Sequence, residues 1–230
     1  MSNFPSIAVV VVNWNSGQYL GKCLQNLKDQ TLSPARVLVV DNASTDGSME
    51  GLEQSFRGWE FIRLNKNTGF AYANNLAVNQ VEACDWIAFL NPDAFAYTDW
   101  LENLTQAIES FPDVKMFGSH MLGHDNGLID GTGDIYHVSG VAWRRDHGMK
   151  SSKVNRESGE IFSPCAAASL ISRDAFLEVG GFDEHFYCYN EDVDLSFRLR
   201  LIGHRCIYVP DAVVEHVGSG TTSRYSDFAV

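Results

Sequence analysis

Residues 7–15 read Ile-Ala-Val-Val-Val-Val-Asn-Trp-Asn, six consecutive apolar residues stopped abruptly by Asn13. A short, β-branched, uninterrupted apolar run of this kind reads as a strand covered on both faces. Three later runs end in the same way: 37–40 at Asp41, 61–64 at Asn65, and 86–90 at Asn91-Pro92-Asp93. If all four are parallel strands, their polar ends share the carboxyl edge of one sheet, where open α/β folds bind their ligands. That alignment points to an enzyme.

The intervals between the runs are helical, giving a βαβ rhythm of about thirty residues per unit. Ser16 is placed to cap a helix carrying Tyr19, Leu20, Cys23, Leu24 and Leu27 at 3.6-residue spacing, ended by residues 30–34. A polar turn over 42–47 leads to a short helix with Met49, Leu52 and Phe56. The turn 65–69 leads into a helix over 70–81, with Phe70, Ala73, Ala77 and Val81 on one face. Residues 98–110 read as a helix with Trp100, Leu101, Leu104 and Ile108 inward. Beyond it the pattern loosens. Residues 114–118 suit a strand, 123–148 a loop or an antiparallel hairpin excursion, and 150–159 a polar, mobile stretch. A short helix over 173–179, a turn at Gly180-Gly181, a helix over 193–202 and a strand over 205–209 complete the chain. The expected architecture is one α/β domain with a central, mostly parallel sheet flanked by helices. The two halves, about 1–118 and about 119–230, read as one body, the first supplying the sheet and the second closing over its edge.

The composition limits the partners. With 230 residues, 45% of them hydrophobic, the chain can build a substantial core. Its formal net charge of -12 argues against a basic face for nucleic acid or for anionic membranes. The five cysteines are odd in number and lack CxxC or Cys/His spacing, as expected of reduced thiols in a cytoplasmic protein. The amino terminus reads as a strand and not as a signal peptide. No run approaches the roughly 20 apolar residues of a spanning helix.

The strand ends also exclude two common nucleotide sites. A dinucleotide fold would place G-x-G-x-x-G after the first strand, where this chain has Asn13-Trp14-Asn15-Ser16-Gly17, and no P-loop is present. Neutral amides and carboxylates suit a nucleoside's polar edges and a divalent cation. Asp41 can accept from a base N–H or a ribose hydroxyl, and Asp93 can ligate Mg²⁺ or Mn²⁺ carrying a diphosphate.

Six strings carry a resemblance: Val-Val-Asn-Trp-Asn (11–15), Val-Val-Asp-Asn-Ala-Ser-Thr-Asp-Gly-Ser (39–48), Asn-Thr-Gly-Phe-Ala-Tyr-Ala-Asn-Asn (67–75), Phe-Leu-Asn-Pro-Asp-Ala (89–94), Gly-Gly-Phe-Asp-Glu (180–184) and Tyr-Asn-Glu-Asp-Val-Asp-Leu-Ser-Phe-Arg-Leu-Arg (189–200). In this order they resemble the family 2 glycosyltransferases, near the rhamnosyltransferase-like branch, over about residues 7–216. The resemblance implies a GT-A fold and inverting transfer of a sugar from a nucleotide diphosphate to an acceptor hydroxyl. It also implies a divalent cation, Mg²⁺ or Mn²⁺, a glycan or lipid-linked glycan acceptor, and a place in cell-surface polysaccharide synthesis. The implied general base is Asp192, with Glu191 on the acceptor side. The implied cation ligands are Asp93, the retained residue of the family's D-x-D, and His216. Nucleotide contacts would fall on Asn13, Asp41 and Asn74. Family members often continue past the matched histidine, so contact with the inner face of a membrane would come through a partner or a further segment.

Each assignment has a plainer reading. Asp41 can cap a helix, and Asp93 can serve a local turn. Asp192 can act only on a helix dipole, leaving Glu191 or Asp194 as the base. Asp194 and Arg198, four apart, read as a helix-surface ion pair. Arg144-Arg145 can meet phosphates or form a solvated hairpin pair. The rival functions are a nucleotidyltransferase, which lacks its basic triphosphate loop here, and a non-catalytic nucleotide-sugar-binding module.

Overall fold

The computed structural model describes residues 5–218 apart from position 125. The first half alternates as the sequence predicts: β1 (Ile7–Asn13), α1 (Tyr19–Lys28), β2 (Arg36–Asp41), the single turn α2 (Leu52–Ser55), β3 (Glu60–Arg63), α3 (Phe70–Asn79) and β4 (Trp86–Leu90). The second half adds β5 (Ala94–Ala96), α4 (Trp100–Ser110), β6 (Met116–Gly123), β7 (Ile129–Gly131), β8 (Asp134–Tyr136) and β9 (Ala142–Arg144). It closes with β10 (Gly159–Ile161), β11 (Ala168–Ser172), α5 (Arg173–Glu178), α6 (Glu191–Leu201) and β12 (Cys206–His216).

Ten strands form one sheet in the order β10-β12-β6-β11-β4-β1-β2-β3, with β5 beside β12 and β7 beside β6. The strands β1 to β4 are mutually parallel, and β12 runs parallel to β6. An antiparallel β11 joins the two groups, pairing Ala168 with Leu90 and Ser169 with Gly118. Because β11 runs against both neighbours, β6 and β12 point the same way as β1 to β4. Their carboxyl ends, Gly123 and His216, therefore reach the same edge as Asn13, Asp41 and Asn91.

The continuous apolar runs have a structural cause. Ile7, Val9 and Val11 pack against α1 and α4, and the alternate residues Ala8, Val10 and Val12 pack against α3, α5 and α6. A strand covered on both faces cannot alternate polar with apolar. Trp100 of α4, the largest fully buried side chain, also satisfies its indole N–H, which donates to Ser119 at 2.9 Å. The amino end of α4 is capped from outside: buried Gln30 accepts from the Leu101 amide at 3.0 Å and donates to the Tyr97 carbonyl at 2.7 Å.

Several local expectations change. The helix after β1 begins at Tyr19 behind Gln18, and no side chain caps it. Ser16 instead turns back and donates to the Asn13 side chain, so it braces the strand end. The expected strands over 114–118 and 205–209 become Met116–Gly123 and Cys206–His216. The second continues because a register shift leaves Pro210, Asp211 and Ala212 out of the pairing between Val209 and Val213, after which pairing with β6 resumes to Gly123. The expected helix over 193–202 starts two residues earlier, at Glu191. All five cysteines are free thiols, and all but Cys188 are buried. No helix among the described residues is long and apolar enough to cross a membrane.

Candidate active site

A cavity of about 650 Å³ opens over the shared carboxyl edge, a size suited to a small-molecule site. Its lining draws Trp14, Asn91 and Asp93 from the strand ends, Asp130, Asp134 and Arg144 from the short strands β7, β8 and β9, Glu191 and Asp192 from α6, and His216 from β12. Four of the expected site residues, Asp93, Glu191, Asp192 and His216, thus share one cavity. The other three, Asn13, Asp41 and Asn74, do not line it. Asn13 and Asp41 are buried beneath it, where the Asn13 amide nitrogen lies 3.1 Å from Asp41 and 3.0 Å from Ser44. Asn74 is buried in α3 and donates to the Phe70 carbonyl one turn back, at 2.9 Å.

The adjacent motif residues build the walls. Asn42 donates to Asn67 at 2.9 Å and accepts from the Thr68 amide at 2.8 Å, locking the turn after β2 to the turn after β3. Gly69, at φ 84°, must be glycine, since a Cβ there would sit 2.6 Å from the Tyr187 carbonyl. That carbonyl accepts from the Phe70 amide at 2.7 Å, which pins the loop before α6 onto α3. Asn75 completes the attachment by donating to the Phe182 carbonyl at 2.8 Å and accepting from the Phe182 amide at 2.9 Å. Tyr187, Tyr189 and Asn190 all have positive φ, so backbone strain concentrates where α6 enters the cavity.

The two α6 carboxyls stand in opposite environments. Both Asp192 oxygens accept backbone amides, from Ala166 at 3.0 Å and from Val193 at 2.9 Å, as an ionised carboxylate does. Glu191 is 5% exposed, and its Oε2 has no hydrogen-bond partner. Burial, reinforced by the Asp192 charge, pushes the Glu191 carboxyl up to about 8. Asp134, buried and facing the same Asp192 charge, rises to about 7, and the Ser163 hydroxyl and Arg144 oppose that rise. The cavity thus sets the amide-held Asp192 carboxyl beside a Glu191 carboxyl that burial pushes toward its neutral form.

The protonated Glu191 bears on stability. The unfolded chain ionises this carboxyl above about 4.5, while the native state retains the proton to about 8, so native stability falls as pH rises between those values. Glu191→Gln removes that penalty. It should leave the melting temperature unchanged below about pH 4.5 and raise it by roughly 10 °C at pH 8. Calorimetry at the two pH values checks this, and an equal difference at both would contradict it.

At the strand end, His216 Nε2 lies 3.4 Å from Asp93 Oδ1, and His216 Nδ1 donates to Asp130 Oδ2 at 2.9 Å. Burial works against a charged imidazole here, but the hydrogen bonds and charges of Asp130 and Asp93 prevail and raise it to about 9; a cation at Nε2 would displace the proton there, since imidazole ligates a metal only through an unprotonated nitrogen. Asp130 in turn accepts from Arg144 at 2.7 Å, and Arg144 donates to the buried Cys165 thiol at 3.1 Å. Arg144 is therefore part of the cavity wall and not a solvated hairpin residue. Arg145 points elsewhere, with its guanidinium 5.0 Å from the centre of the Tyr208 ring. Asp194 and Arg198 form the expected ion pair, at 2.7 Å.

The donor set fits a divalent cation of modest protein affinity. A carboxylate and an imidazole nitrogen 3.4 Å apart have the spacing of neighbouring ligands on one ion, with bonds of about 2.1 Å each. No group of three or more His, Cys, Asp or Glu able to hold an ion occurs among the described residues. Remaining positions would fall to water and a diphosphate, as is usual for ions that travel with phosphates. Asp130, Asp134, Asn42 and Asn67 also line the cavity and are not among the site residues expected from the sequence, whereas Arg144 is one of the pair read there as meeting phosphates or lying in a solvated hairpin. Of these four, only Asn42 and Asn67 carry a signal, because they lie within the motif strings 39–48 and 67–75.

Comparison with known proteins agrees with this architecture. The family model for glycosyl transferase family 2 matches residues 8–180, a stretch that holds Asp93 and ends before Glu191. The N-acetylglucosaminyl-diphospho-decaprenol L-rhamnosyltransferase of Mycobacterium tuberculosis is 27% identical, over 95% of this chain and 78% of its own. Rhamnosyltransferase WbbL of Escherichia coli is 28% identical, over 89% of this chain and 80% of its own. Among solved structures, GalNAc-T7 with UDP, GalNAc and Mn²⁺ superposes with a TM-score of 0.75 at 16% identity, covering 94% of this chain. This chain spans 44% of that structure, less than half its length. The mannosyltransferase PcManGT from Pyrobaculum calidifontis, with GDP-Man and Mn²⁺, gives 0.67 at 18% identity, over 94% of this chain and 58% of its own. With the family model covering most of its length and GT-A enzymes sharing its fold, this chain belongs to glycosyl transferase family 2, as a rhamnosyltransferase-like member.

Proposed function

We propose that the protein catalyses inverting, divalent-cation-dependent transfer of a sugar, with a rhamnosyl donor favoured, from a nucleotide diphosphate to a hydroxyl of a lipid-linked glycan. The observation that carries this reading is one cavity lined both by Asp93 beside His216 and by the amide-held carboxylate of Asp192. In an inverting transfer the acceptor oxygen bonds to the sugar's C1 as the bond from C1 to the diphosphate oxygen breaks. One carboxylate takes the acceptor's proton. Asp192 takes that proton, and protonated Glu191 positions the acceptor by donating a hydrogen bond. Asp93 and His216 hold the cation, which when bound offsets the charge gathering on the departing diphosphate. Asn13, Asp41 and Asn74 serve the nucleotide from beneath the cavity lining, by fixing the turns after β1 and β2 and the first turns of α3.

The names of the two rhamnosyltransferases support the donor and the lipid-linked acceptor, and the Mn²⁺ and sugar nucleotides of the two solved structures support the cation. Thermal-shift measurements with UDP-, dTDP- and GDP-sugars test the reading. One class of donor at about 100 times its Kd should raise the melting temperature by roughly 5–10 °C, corresponding to about 2.7 kcal/mol, with Mn²⁺ and not with chelator. No shift with any donor in the presence of Mn²⁺ would overturn it.

A further inference from the structure

The ribbon beside the acceptor end of the cavity has a surface that the transfer chemistry does not use. Strands β8 and β9 pair antiparallel, and the Leu128–Lys150 bridge and the Ile129–Met149 hydrogen bond continue the pairing to its base. At its tip His137 and Val141 close a tight turn in which Val138 is 94% exposed. Turn tips ordinarily carry Gly, Asn, Asp or Ser, and nothing among the described residues covers this valine. Val141, 57% exposed and directly before β9, and Trp143 of β9, 48% exposed, are two apart in extended chain and so share a face, and Trp143 also lines the cavity. Exposed apolar side chains thus lead from the tip to the cavity mouth.

The charge of this segment is opposite to that of the whole chain. Residues 137–156 hold five of the 17 lysines and arginines and one of the 29 acids, in a chain of net charge -12. Arg144, Arg145 and Arg156 pair with Asp130, Asp146 and Asp211, so the positive charge the ribbon offers a surface is that of Lys150 and Lys153. Lys150 and Lys153 are exposed. Charges farther away than the Debye length of about 8 Å are largely screened at physiological salt, so a surface meets the local sign and not the chain's total.

We propose that this ribbon docks on a bilayer surface bearing anionic headgroups, with Val138, Val141 and Trp143 at the acyl boundary and Lys150 and Lys153 among the headgroups. An exposed tryptophan with valines and flanking lysines is the composition that settles at such an interface. A lipid surface is favoured over a second copy of the chain because a basic patch repels its own image and attracts anionic headgroups. The docking would hold the cavity mouth where a membrane-embedded acceptor presents its sugar.

The test reads binding without donor, so it stands or falls apart from the transfer reading. The full chain is sedimented with phosphatidylcholine vesicles and with vesicles that also contain phosphatidylglycerol. Binding is expected only to the second, weakening as salt is raised. Val138→Glu combined with Val141→Glu should lower partitioning at least about tenfold, and Lys150→Glu with Lys153→Glu by a similar factor. Leu201→Glu with Ile202→Glu, an exposed apolar pair on the far end of α6, should bind as the parent does. All variants should keep the parent's melting temperature. Absence of binding to either vesicle would overturn the proposal, as would full binding by the valine variant or an equal loss in the α6 variant. A dimer in sedimentation velocity that the valine substitutions dissolve would assign the strip to a second copy instead.

Discussion

Asp192→Asn is expected to lower the transfer rate about 10³- to 10⁴-fold, because the amide cannot take the acceptor's proton. The loss should fall in kcat, with nucleotide affinity nearly unchanged, since Asp192 is held by the Ala166 and Val193 amides and not by the strand ends. Asparagine has almost the same shape and can still accept one of these hydrogen bonds, so the fold should survive. Glu191→Gln provides the contrast. A glutamine can still donate to the acceptor as the protonated acid does, so that variant should retain far more activity. Parallel steady-state kinetics and nucleotide titrations on the two variants separate the roles. If Glu191→Gln were the inactive one and Asp192→Asn active, the base would be Glu191.

The second large effect is expected at Asp130, which no motif string marks. Its carboxylate receives the His216 Nδ1 proton, and this leaves Nε2 facing Asp93. Partners of this kind fix the orientation of a metal-ligating imidazole, and removing one costs roughly 10–100-fold in metal affinity. Asp130→Ala should therefore weaken Mn²⁺ binding by that factor, read by titration calorimetry in the presence of nucleotide. It also leaves Arg144 without its 2.7 Å partner, so some loss of stability is expected as well. Arg144→Met leaves the Asp130–His216 contact in place and should bind Mn²⁺ more nearly as the parent does. Equal losses of Mn²⁺ affinity in the two variants would mean that Asp130 acts only by holding the loop.

The difference between these two residues shows where the sequence is legible. Asp192 follows a short motif and opens a helix, so local pattern alone places it at a boundary, and the resemblance supplies its role. The edge of the sheet was equally readable, because a strand covered on both faces must be continuously apolar and must end where the chain meets the ligand. His216 needed more than pattern. It joins Asp93 only because β12 survives the bulge at Pro210 and runs parallel to β6 up to the common edge, and a proline in the run disguised that length. Asp130 and Asp134 lie on the three-residue strands β7 and β8, within a stretch that reads from sequence as a loop or hairpin, and their partners, His216 and Ser163, are 86 and 29 residues away. Neither periodicity nor turn chemistry encodes contacts at such separations. Asn74 and Asn75 illustrate a finer limit. Helical spacing cannot tell which of two adjacent asparagines turns inward to its own helix and which reaches across to Phe182.

The central claim is that this cavity inverts a sugar centre in one displacement, with Asp192 as the base. The most direct measurement is the anomeric configuration of the product, read by NMR from the reaction with whichever sugar nucleotide gives the largest Mn²⁺-dependent thermal shift. A linkage opposite in configuration to the donor is the predicted result. A product that retains the donor's configuration would contradict it, since retention requires a second displacement or a front-face path that a single base does not provide.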